Sequence, residues 1–359
     1  MGGREHRTPI NALRGFAAIW VVVYHFRYFS PYPWHSLPII PKGYMGVDFF
    51  FVLSGLIISH VYLDRMVKAN GWAEHARFLA LRIARIWPLH AFIMLAMLVA
   101  ALWHGTALTG RDWSDWLSLT LLVRQWLMPP NYVWNSPAWS VSAELFAYAF
   151  VFPLVIYFAR QNARPQAAWR MMLVGLALLC ALLVAGETLN ATKGMGPLVR
   201  VTGGFFLGAG LYCWLYGKQM SNRWDIALVL GTAGFPVALW VDSDLAVLTA
   251  LMALTVGAYM STGPIARLLS ARPLFLLGEW SFGLYLLHIP MFEAARFFSR
   301  QMGIERGITF CVAVLVLSVA CAAMLHSLIE TPARKAARVR IEEWYGRAMA
   351  RFAPGTLVG

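Results

Sequence analysis

The sequence predicts an all-α polytopic integral membrane protein with about ten transmembrane helices. Hydrophobic residues make up 59% of its 359 residues, charged residues only 13%, and the mean hydropathy is +0.59. Apolar runs recur from one end of the chain to the other, and a run of about 18 or more apolar residues is typical of a transmembrane helix. These observations exclude an ordinary soluble globular domain.

The apolar runs place the individual spans. A shorter stretch, 114–128, contains Arg124 and is predicted to be an interfacial helix. No small-residue cleavage site follows the first run, so we expect this helix to remain in the mature protein. The predicted spans lie near residues 10–29, 44–62, 86–103, 136–159, 171–187, 198–216, 224–241, 244–261, 274–298 and 307–330.

The basic residues predict the orientation in the membrane. The net charge is +13, and most of the 30 Lys and Arg residues fall in the N-terminus, the even-numbered loops and the C-terminal tail. The positive-inside rule therefore places both termini in the cytoplasm. The charge is not gathered on one soluble domain, so membrane lipids rather than nucleic acid are the expected partners.

The domain organisation is predicted to be simple. One transmembrane domain fills residues 1–332, and a basic cytoplasmic tail follows at 333–359. Glu330 and Pro332 are predicted to stop the last helix. In the segment 203–210, the P-loop lysine is missing, and its Gly204 and Gly208 are predicted to allow close helix packing instead.

The four cysteines give no sign of a metal site or a disulfide framework. They all lie within apolar runs and show no Cys-x-x-Cys spacing, so we expect small core residues and no bound metal. They are Cys180, Cys213, Cys311 and Cys321.

Arg14 and His25 are placed unusually on the first span. Eleven residues correspond to about three helical turns, so both side chains share one helix face, separated by roughly 16 Å along the axis. Ionisable groups within a membrane are costly, which favours a functional interpretation. The alternative is that Arg14 is a snorkelling anchor and His25 a hydrogen-bonded packing residue.

Other intramembrane polar residues lie at depths that match these two. Asp48, Glu144 and His288 are predicted to form an outer-half cluster with His25, and Pro290 is expected to bend the helix just after His288.

Arg82 and Arg85 lie one turn apart on the cytoplasmic side, beside Arg14. Such a set of guanidinium groups is suited to binding phosphates. A histidine with a carboxylate partner in a dry outer cavity is suited to removing a hydroxyl proton. Acyl-CoA matches both the cytoplasmic arginines and the outer cavity. Its phosphates would stay with the arginines while its pantetheine arm carries the thioester towards His25.

Five motifs occur in order along the sequence: Arg14 with His25, GVDFFFVLSG at 46–55, Arg82 with Arg85, WSVSAE at 139–144 and SFGLYLLH at 281–288. With these motifs, the sequence resembles the membrane acyltransferase-3 family, which includes O-antigen (lipopolysaccharide) and exopolysaccharide O-acetyltransferases. The resemblance implies transfer of an acyl group, most often acetyl from cytoplasmic acetyl-CoA, to a saccharide hydroxyl at the outer face of the bacterial inner membrane. It also implies that the histidine of the Arg-x10-His motif is essential.

Two departures from the family pattern limit this comparison. Some relatives carry an additional SGNH hydrolase-like domain, whereas here the sequence ends shortly after the last span. We therefore expect the protein to act alone or with a separate polysaccharide-assembly partner, on a saccharide or glycolipid acceptor. Phe282 stands where the pattern has Tyr.

The predicted roles follow from depth and chemistry. His25 is the general base, with Asp48 or Glu144 fixing its tautomer. The phosphates of acetyl-CoA are assigned to Arg14, Arg82 and Arg85.

Alternatives remain open at several of these positions. His288 either orients the thioester or caps the helix at Pro290, and Ser54 is either a covalent acyl relay or bonded to its own helix. A proton-coupled transporter or lipid flippase would also need intramembrane histidines and carboxylates, although the sequence lacks the expected repeat symmetry. A non-catalytic scaffold is a third class.

Overall fold

Helices form almost all of the regular structure in the computed structural model, which describes residues 9–68, 72–127 and 134–352. Within these ranges there is no β-strand, only one isolated bridge between Ser221 and Ser261. The predicted all-α class is therefore confirmed. The α-helices are α1 (Pro9–Phe29), α2 (Met45–Ile58), α3 (Asp64–Lys68), α4 (Trp72–Trp103), α5 (Gly110–Thr120), α6 (Ala138–Phe146), α7 (Phe152–Gln161), α8 (Arg164–Val184), α9 (Gly196–Leu215), α10 (Asp225–Trp240), α11 (Asp244–Met260), α12 (Pro264–Leu269), α13 (Arg272–Met302), α14 (Ile308–Leu325) and α15 (Thr331–Phe352).

Each predicted span coincides with helical structure, but not every helix is long enough to cross a membrane. Helices α10 and α11 have 16 and 17 residues, about 24–26 Å, which is short of a 30 Å hydrocarbon core. Helix α1 is long enough, with 21 residues, but it is not apolar enough to count as a candidate span. The count of ten and the cytoplasmic termini remain predictions. Within the described ranges, seven helices are long and apolar enough: Met45–Lys68, Trp72–Trp103, Ala138–Gln161, Arg164–Val184, Gly196–Leu215, Arg272–Met302 and Ile308–Ala348.

Three π-helical segments join consecutive helices into single rods. They are Ser59–Leu63 between α2 and α3, Ala147–Val151 between α6 and α7, and His326–Glu330 between α14 and α15. Single π turns of this kind are frequent near functional sites.

The predicted helix stop at Glu330 and Pro332 is wrong, because α15 continues to Phe352. Pro332 lies just after the π-helical segment His326–Glu330, so the backbone N–H that it lacks falls at the junction of the two helix types. The helix thus runs through the predicted boundary between the membrane domain and the tail. That division stays a prediction, and residues 353–359 of the predicted tail lie outside the described ranges.

The stretch 114–128 is not one interfacial helix. Helix α5 ends at Thr120, the buried Leu122 has a φ of 60°, and a short 3-10 helix follows at Arg124–Leu127. After this turn Arg124 is directed inwards, where it forms a buried ion pair with Asp115. Residue 128 lies beyond the described part of this loop.

Helices α1 and α13 run parallel and approach closely. A Cβ atom added to Gly278 would lie 2.0 Å from the carbonyl oxygen of Asn11, and one on Gly15 would lie 2.7 Å from a side-chain carbon of α13. Further along the same pair, the His25 and His288 rings meet. The close crossing at the two glycines therefore sets the register that brings the histidines together.

Helices α2 and α9 also pack through glycines. A Cβ atom on Gly208 would lie 1.9 Å from the carbonyl oxygen of Val52, and one on Gly204 would lie 2.8 Å from the Phe51 side chain. The predicted packing role of Gly204 and Gly208 is confirmed. The four cysteines are free, and they are buried or partly buried within the helices.

Candidate active site

A cavity of about 140 Å³ lies between α1, α2, α4, α6 and α13. Nine of its 18 wall residues are apolar and nine carry polar or charged groups. Apolar surface combined with converging polar groups is typical of a binding site for an organic molecule. The cavity brings together all three arginines that the sequence predicted to act jointly. The polar residues in its wall are Arg14, Ser54, Arg82, Arg85, Ser140, Glu144, Tyr148, Ser281 and Tyr285.

The arginines of the cavity make few hydrogen bonds or ion pairs with the described residues. Arg14 and Arg85 make no hydrogen bond or ion pair with any described residue. Arg82 donates one hydrogen bond from Nη2 to the hydroxyl of Tyr62 at 2.8 Å, and its buried Nε has no partner among the described residues. The cavity therefore offers guanidinium N–H groups to an anionic ligand.

Nearby carboxylates moderate this positive charge. Arg14 is attracted by three carboxylates, those of Glu144, Glu279 and Glu330, and is repelled by the positive charge of Arg85. Glu279 also accepts a hydrogen bond from Asn11 Nδ2 at 2.9 Å, which ties α13 to α1. Neither Glu279 nor Glu330 was assigned to the site from the sequence, since each lies near a predicted span end where charged residues are common.

Glu144 lies in the arginine cavity rather than beside His25. Its Oε1 accepts hydrogen bonds from Ser54 Oγ at 2.8 Å and from the Tyr148 hydroxyl at 2.5 Å, and those two hydroxyls are 2.9 Å apart. The expected outer cluster is therefore incorrect for Glu144. Depth along the span was estimated from the sequence, but the rotation of α6 directs the carboxylate to the cavity. Ser54 bonds this carboxylate rather than only its own helix.

Asp48 is also directed away from His25. Its two carboxylate oxygens accept hydrogen bonds from Arg200 at 3.0 and 2.7 Å, and the two side chains are only 2% and 1% exposed. The guanidinium of Arg200 stacks over the Trp139 ring at 5.0 Å and also donates to the Ala191 carbonyl. The expected pairing of Asp48 with His25 is thus incorrect, because Arg200 occupies both oxygens.

Arg200 was not among the residues predicted from the sequence, although a signal for it was present. Arg200 lies near one end of the predicted span 198–216, at the same depth as Asp48. An intramembrane arginine generally needs an acidic partner.

His25 is oriented by its own helix. Its Nδ1 lies 2.8 Å from the carbonyl oxygen of Val21. A carbonyl can only accept, so Nδ1 carries the proton in the neutral ring and Nε2 keeps its lone pair. The backbone thus fixes the tautomer, a role that the sequence analysis gave to Asp48 or Glu144.

His288 is brought directly to His25, as predicted. The two ring centroids are 4.7 Å apart. His288 Nδ1 donates to the Tyr285 carbonyl at 2.6 Å, and its buried Nε2 has no partner among the described residues. Tyr285 connects the two parts of the site, because it lines the arginine cavity and its ring lies 5.8 Å from that of His288.

No metal centre is found among the described residues, where no group of three or more His, Cys, Asp or Glu could hold an ion. The site is thus a cationic cavity joined through Tyr285 to a pair of histidines, in a helical membrane protein.

The chain belongs to the acyltransferase-3 family, since the family described as "Acyltransferase domain" matches residues 8–326. It is 26% identical to "Acyltransferase MdmB" of Streptomyces mycarofaciens, over 92% of this chain and 93% of that protein. It is 24% identical to "O-acetyltransferase OatA" of Staphylococcus aureus, over 91% of this chain and 57% of that protein. No solved structure matches the chain significantly.

A third relative is "Peptidoglycan O-acetyltransferase OatA" of Listeria monocytogenes, which is 24% identical over 92% of this chain and 56% of the relative. The chain therefore spans little more than half of the two OatA proteins. Family membership supports an O-acyltransferase and does not favour the transporter or flippase alternative.

Proposed function

We propose that this protein moves an acetyl group from cytoplasmic acetyl-CoA to a hydroxyl of a cell-surface or lipid-linked saccharide, within the bacterial inner membrane. The observation that carries the proposal is the cavity in which Arg14 and Arg85 make no hydrogen bond or ion pair with a described residue. Grouped arginines are suited to phosphates, because the guanidinium fork donates two hydrogen bonds to the oxygens of one phosphate. Acetyl-CoA combines such phosphates with a long arm that ends in the reactive thioester.

The distance between the two parts of the site suits this donor. Arg14 and His25 lie on one face of α1, roughly 16 Å apart along the helix axis. The arm of acetyl-CoA would pass the cavity wall at Tyr285, whose hydroxyl is hydrogen-bonded to Ser140 Oγ at 2.7 Å. The thioester would then reach the pair formed by His25 and His288.

His25 would act as the general base. Its Nε2 takes the proton of the acceptor hydroxyl, whose oxygen bonds to the thioester carbonyl carbon. The carbon–sulfur bond then breaks, and the leaving thiolate of coenzyme A takes the proton from the imidazolium. The hydrogen bond from Nδ1 to the Val21 carbonyl holds the ring in the required tautomer throughout.

Ser54 gives a second route, in which the acetyl group first forms an ester with the protein. Its hydroxyl donates to Glu144 at 2.8 Å, and a nucleophile bonded to a base is the arrangement that covalent catalysis needs. An acetyl label that is trapped on the wild-type protein but absent from Ser54→Ala would favour this route. A label found only on the saccharide would favour direct transfer.

The proposed acceptor is a class of molecule, a cell-surface or lipid-linked saccharide. One relative is named as a peptidoglycan O-acetyltransferase, so peptidoglycan should be tested beside lipopolysaccharide and exopolysaccharide. A separate polysaccharide-assembly partner and surrounding membrane lipids are further proposed partners.

The donor is tested with membranes that contain the protein and membranes that lack it. Both are incubated with acetyl-CoA labelled in the acetyl group, and label is measured in each saccharide fraction. We expect saccharide-bound label only where the protein is present, and less label when excess coenzyme A competes. Equal label in both membranes would contradict the proposal.

A further inference from the structure

Pro290 leaves a gap in the hydrogen bonding of α13, immediately after His288. A proline has no backbone N–H, so the carbonyl four residues earlier loses its helical donor. That carbonyl belongs to Leu286. Nevertheless α13 continues without interruption from Arg272 to Met302.

Asn135 supplies the missing donor. Its Nδ2 lies 3.0 Å from the carbonyl oxygen of Leu286, and its side chain is completely buried. Asn135 lies just before α6, 151 residues away along the chain. A side chain from one helix end thus replaces a backbone hydrogen bond within another helix.

The first turn of α6, which follows Asn135, contacts α13 at a second point. The Tyr285 hydroxyl bonds Ser140 Oγ at 2.7 Å and the Pro137 carbonyl at 3.3 Å. Tyr285 and Leu286 are therefore both held by hydrogen bonds to α6 and to the residues just before it. His288 depends on these contacts, because its ring is oriented through the Tyr285 carbonyl.

We propose that Asn135 is a positioning residue that closes the hydrogen-bond gap at Pro290 and thereby holds His288 against His25. The sequence alone did not indicate Asn135, since the gap and its donor lie far apart in the chain. The catalytic consequence rests on the proposed acetyl transfer, whereas the link between Asn135 and Pro290 does not.

The test combines two substitutions. Asn135→Ala removes the donor, and Pro290→Ala restores a backbone N–H to the helix. If the two residues share one function, Asn135→Ala should be harmful with Pro290 present and nearly neutral in the Pro290→Ala background. Asn162→Ala is the matched control, because Asn162 Nδ2 also donates to a helix carbonyl, that of Phe158 at 2.8 Å, at the end of α7.

The rate of acetyl transfer tests whether Asn135 affects catalysis through His288. We expect Asn135→Ala to lower kcat by about tenfold or more while the KM for acetyl-CoA stays within about twofold, because orientation at the histidines changes and the arginine cavity does not. The double variant should return to the kcat of Pro290→Ala. An equal loss in both backgrounds, or a rise in KM alone, would overturn the proposal.

Thermal unfolding in detergent measures the structural link without any activity. The melting temperature should fall in Asn135→Ala and be restored by adding Pro290→Ala, since residues that share an interaction are not additive. Additive losses would overturn the link. Should Asn135→Ala fail to fold, folding of the double variant supports the proposal and its failure contradicts it. If the wild type transfers no acetyl group, the proposed function fails and this measurement still decides the link.

Discussion

Asp48 and Arg200 place two opposite charges in the interior of the helices, with only 2% and 1% of their side chains exposed. They join α2 to α9 next to the glycine contacts of the same pair. Breaking such a pair leaves one buried charge without compensation, which costs far more than the pair itself contributes. We therefore expect the pair to stabilise the folded protein. The catalytic role predicted for Asp48 has no geometric support from a contact with His25.

We expect Asp48→Asn to lower the free energy of unfolding by about 3–5 kcal/mol, because Arg200 would remain charged in an apolar site. Chemical unfolding in detergent measures this. Replacing both residues by leucine should recover much of the loss. A stability of Asp48→Asn equal to that of the wild type would show that the pair carries little of the fold.

Arg85 makes no hydrogen bond or ion pair with the residues that the structure describes, so its guanidinium is available to a ligand. Arg85→Ala should raise the KM for acetyl-CoA by about tenfold or more, since a hydrogen bond to a charged group contributes about 1.5–3 kcal/mol. Steady-state transfer at varied donor concentration measures it. The exposed Arg223 is the control, and the same KM in Arg85→Ala and Arg223→Ala would contradict donor binding by Arg85.

Spacing along one helix explains which residues could be placed from sequence. Arg14 with His25, and Arg82 with Arg85, each share a helix, so the helical period alone predicts a shared face. The arginines do meet in one cavity. The direction of Glu144 could not be predicted in this way, because it depends on the rotation of α6 against its neighbours.

Helices α2 and α9 depend on glycine at their crossing. Gly208→Ala would place a Cβ 1.9 Å from a backbone oxygen, which cannot move as a side chain can. We expect a loss of about 1–3 kcal/mol in stability from the forced separation. Gly234→Ala on α10 is the control, because its nearest neighbour would be 4.0 Å away. Equal melting temperatures for both variants would contradict the close packing.

Helix α15 packs on the beginning of α4, on which Arg82 and Arg85 also lie. Arg77 of α4 donates to both oxygens of Glu342 at 2.8 and 2.5 Å, and the Tyr345 hydroxyl donates to Glu74 at 2.6 Å. Paired, bidentate contacts of this kind stabilise more than isolated surface ion pairs. The predicted basic tail thus binds the protein itself, and its contact with lipid stays a prediction.

Removing the Arg77 contact should loosen this helix pair. We expect Glu342→Gln to increase the rate of tryptic cleavage within α15 severalfold, because locally opened segments are cleaved first. Cleavage is followed by mass spectrometry in mild detergent. Glu343→Gln is the matched control, one residue along and without an ion pair to the described residues. Equal rates for the two variants would contradict the docking contact.

At the scale of the whole molecule, the site divides into a cationic cavity and a histidine pair. The helical membrane class was predictable because hydropathy alone determines it, and the family because its motifs occur in order. The completion of α13 by Asn135 was not predictable, because it depends on a contact between two distant segments. We therefore expect substitutions in the cavity to weaken donor binding and substitutions of the histidines to slow proton transfer.

The most direct measurement compares His25→Ala with His104→Ala, an exposed histidine elsewhere on the protein. Both coenzyme A binding and transfer of labelled acetyl to the saccharide fraction are determined for each variant. His25→Ala should reduce transfer by about 100-fold or more while coenzyme A binding stays within about twofold. His104→Ala should change neither quantity. Undiminished transfer by His25→Ala would contradict the central claim that His25 is the base.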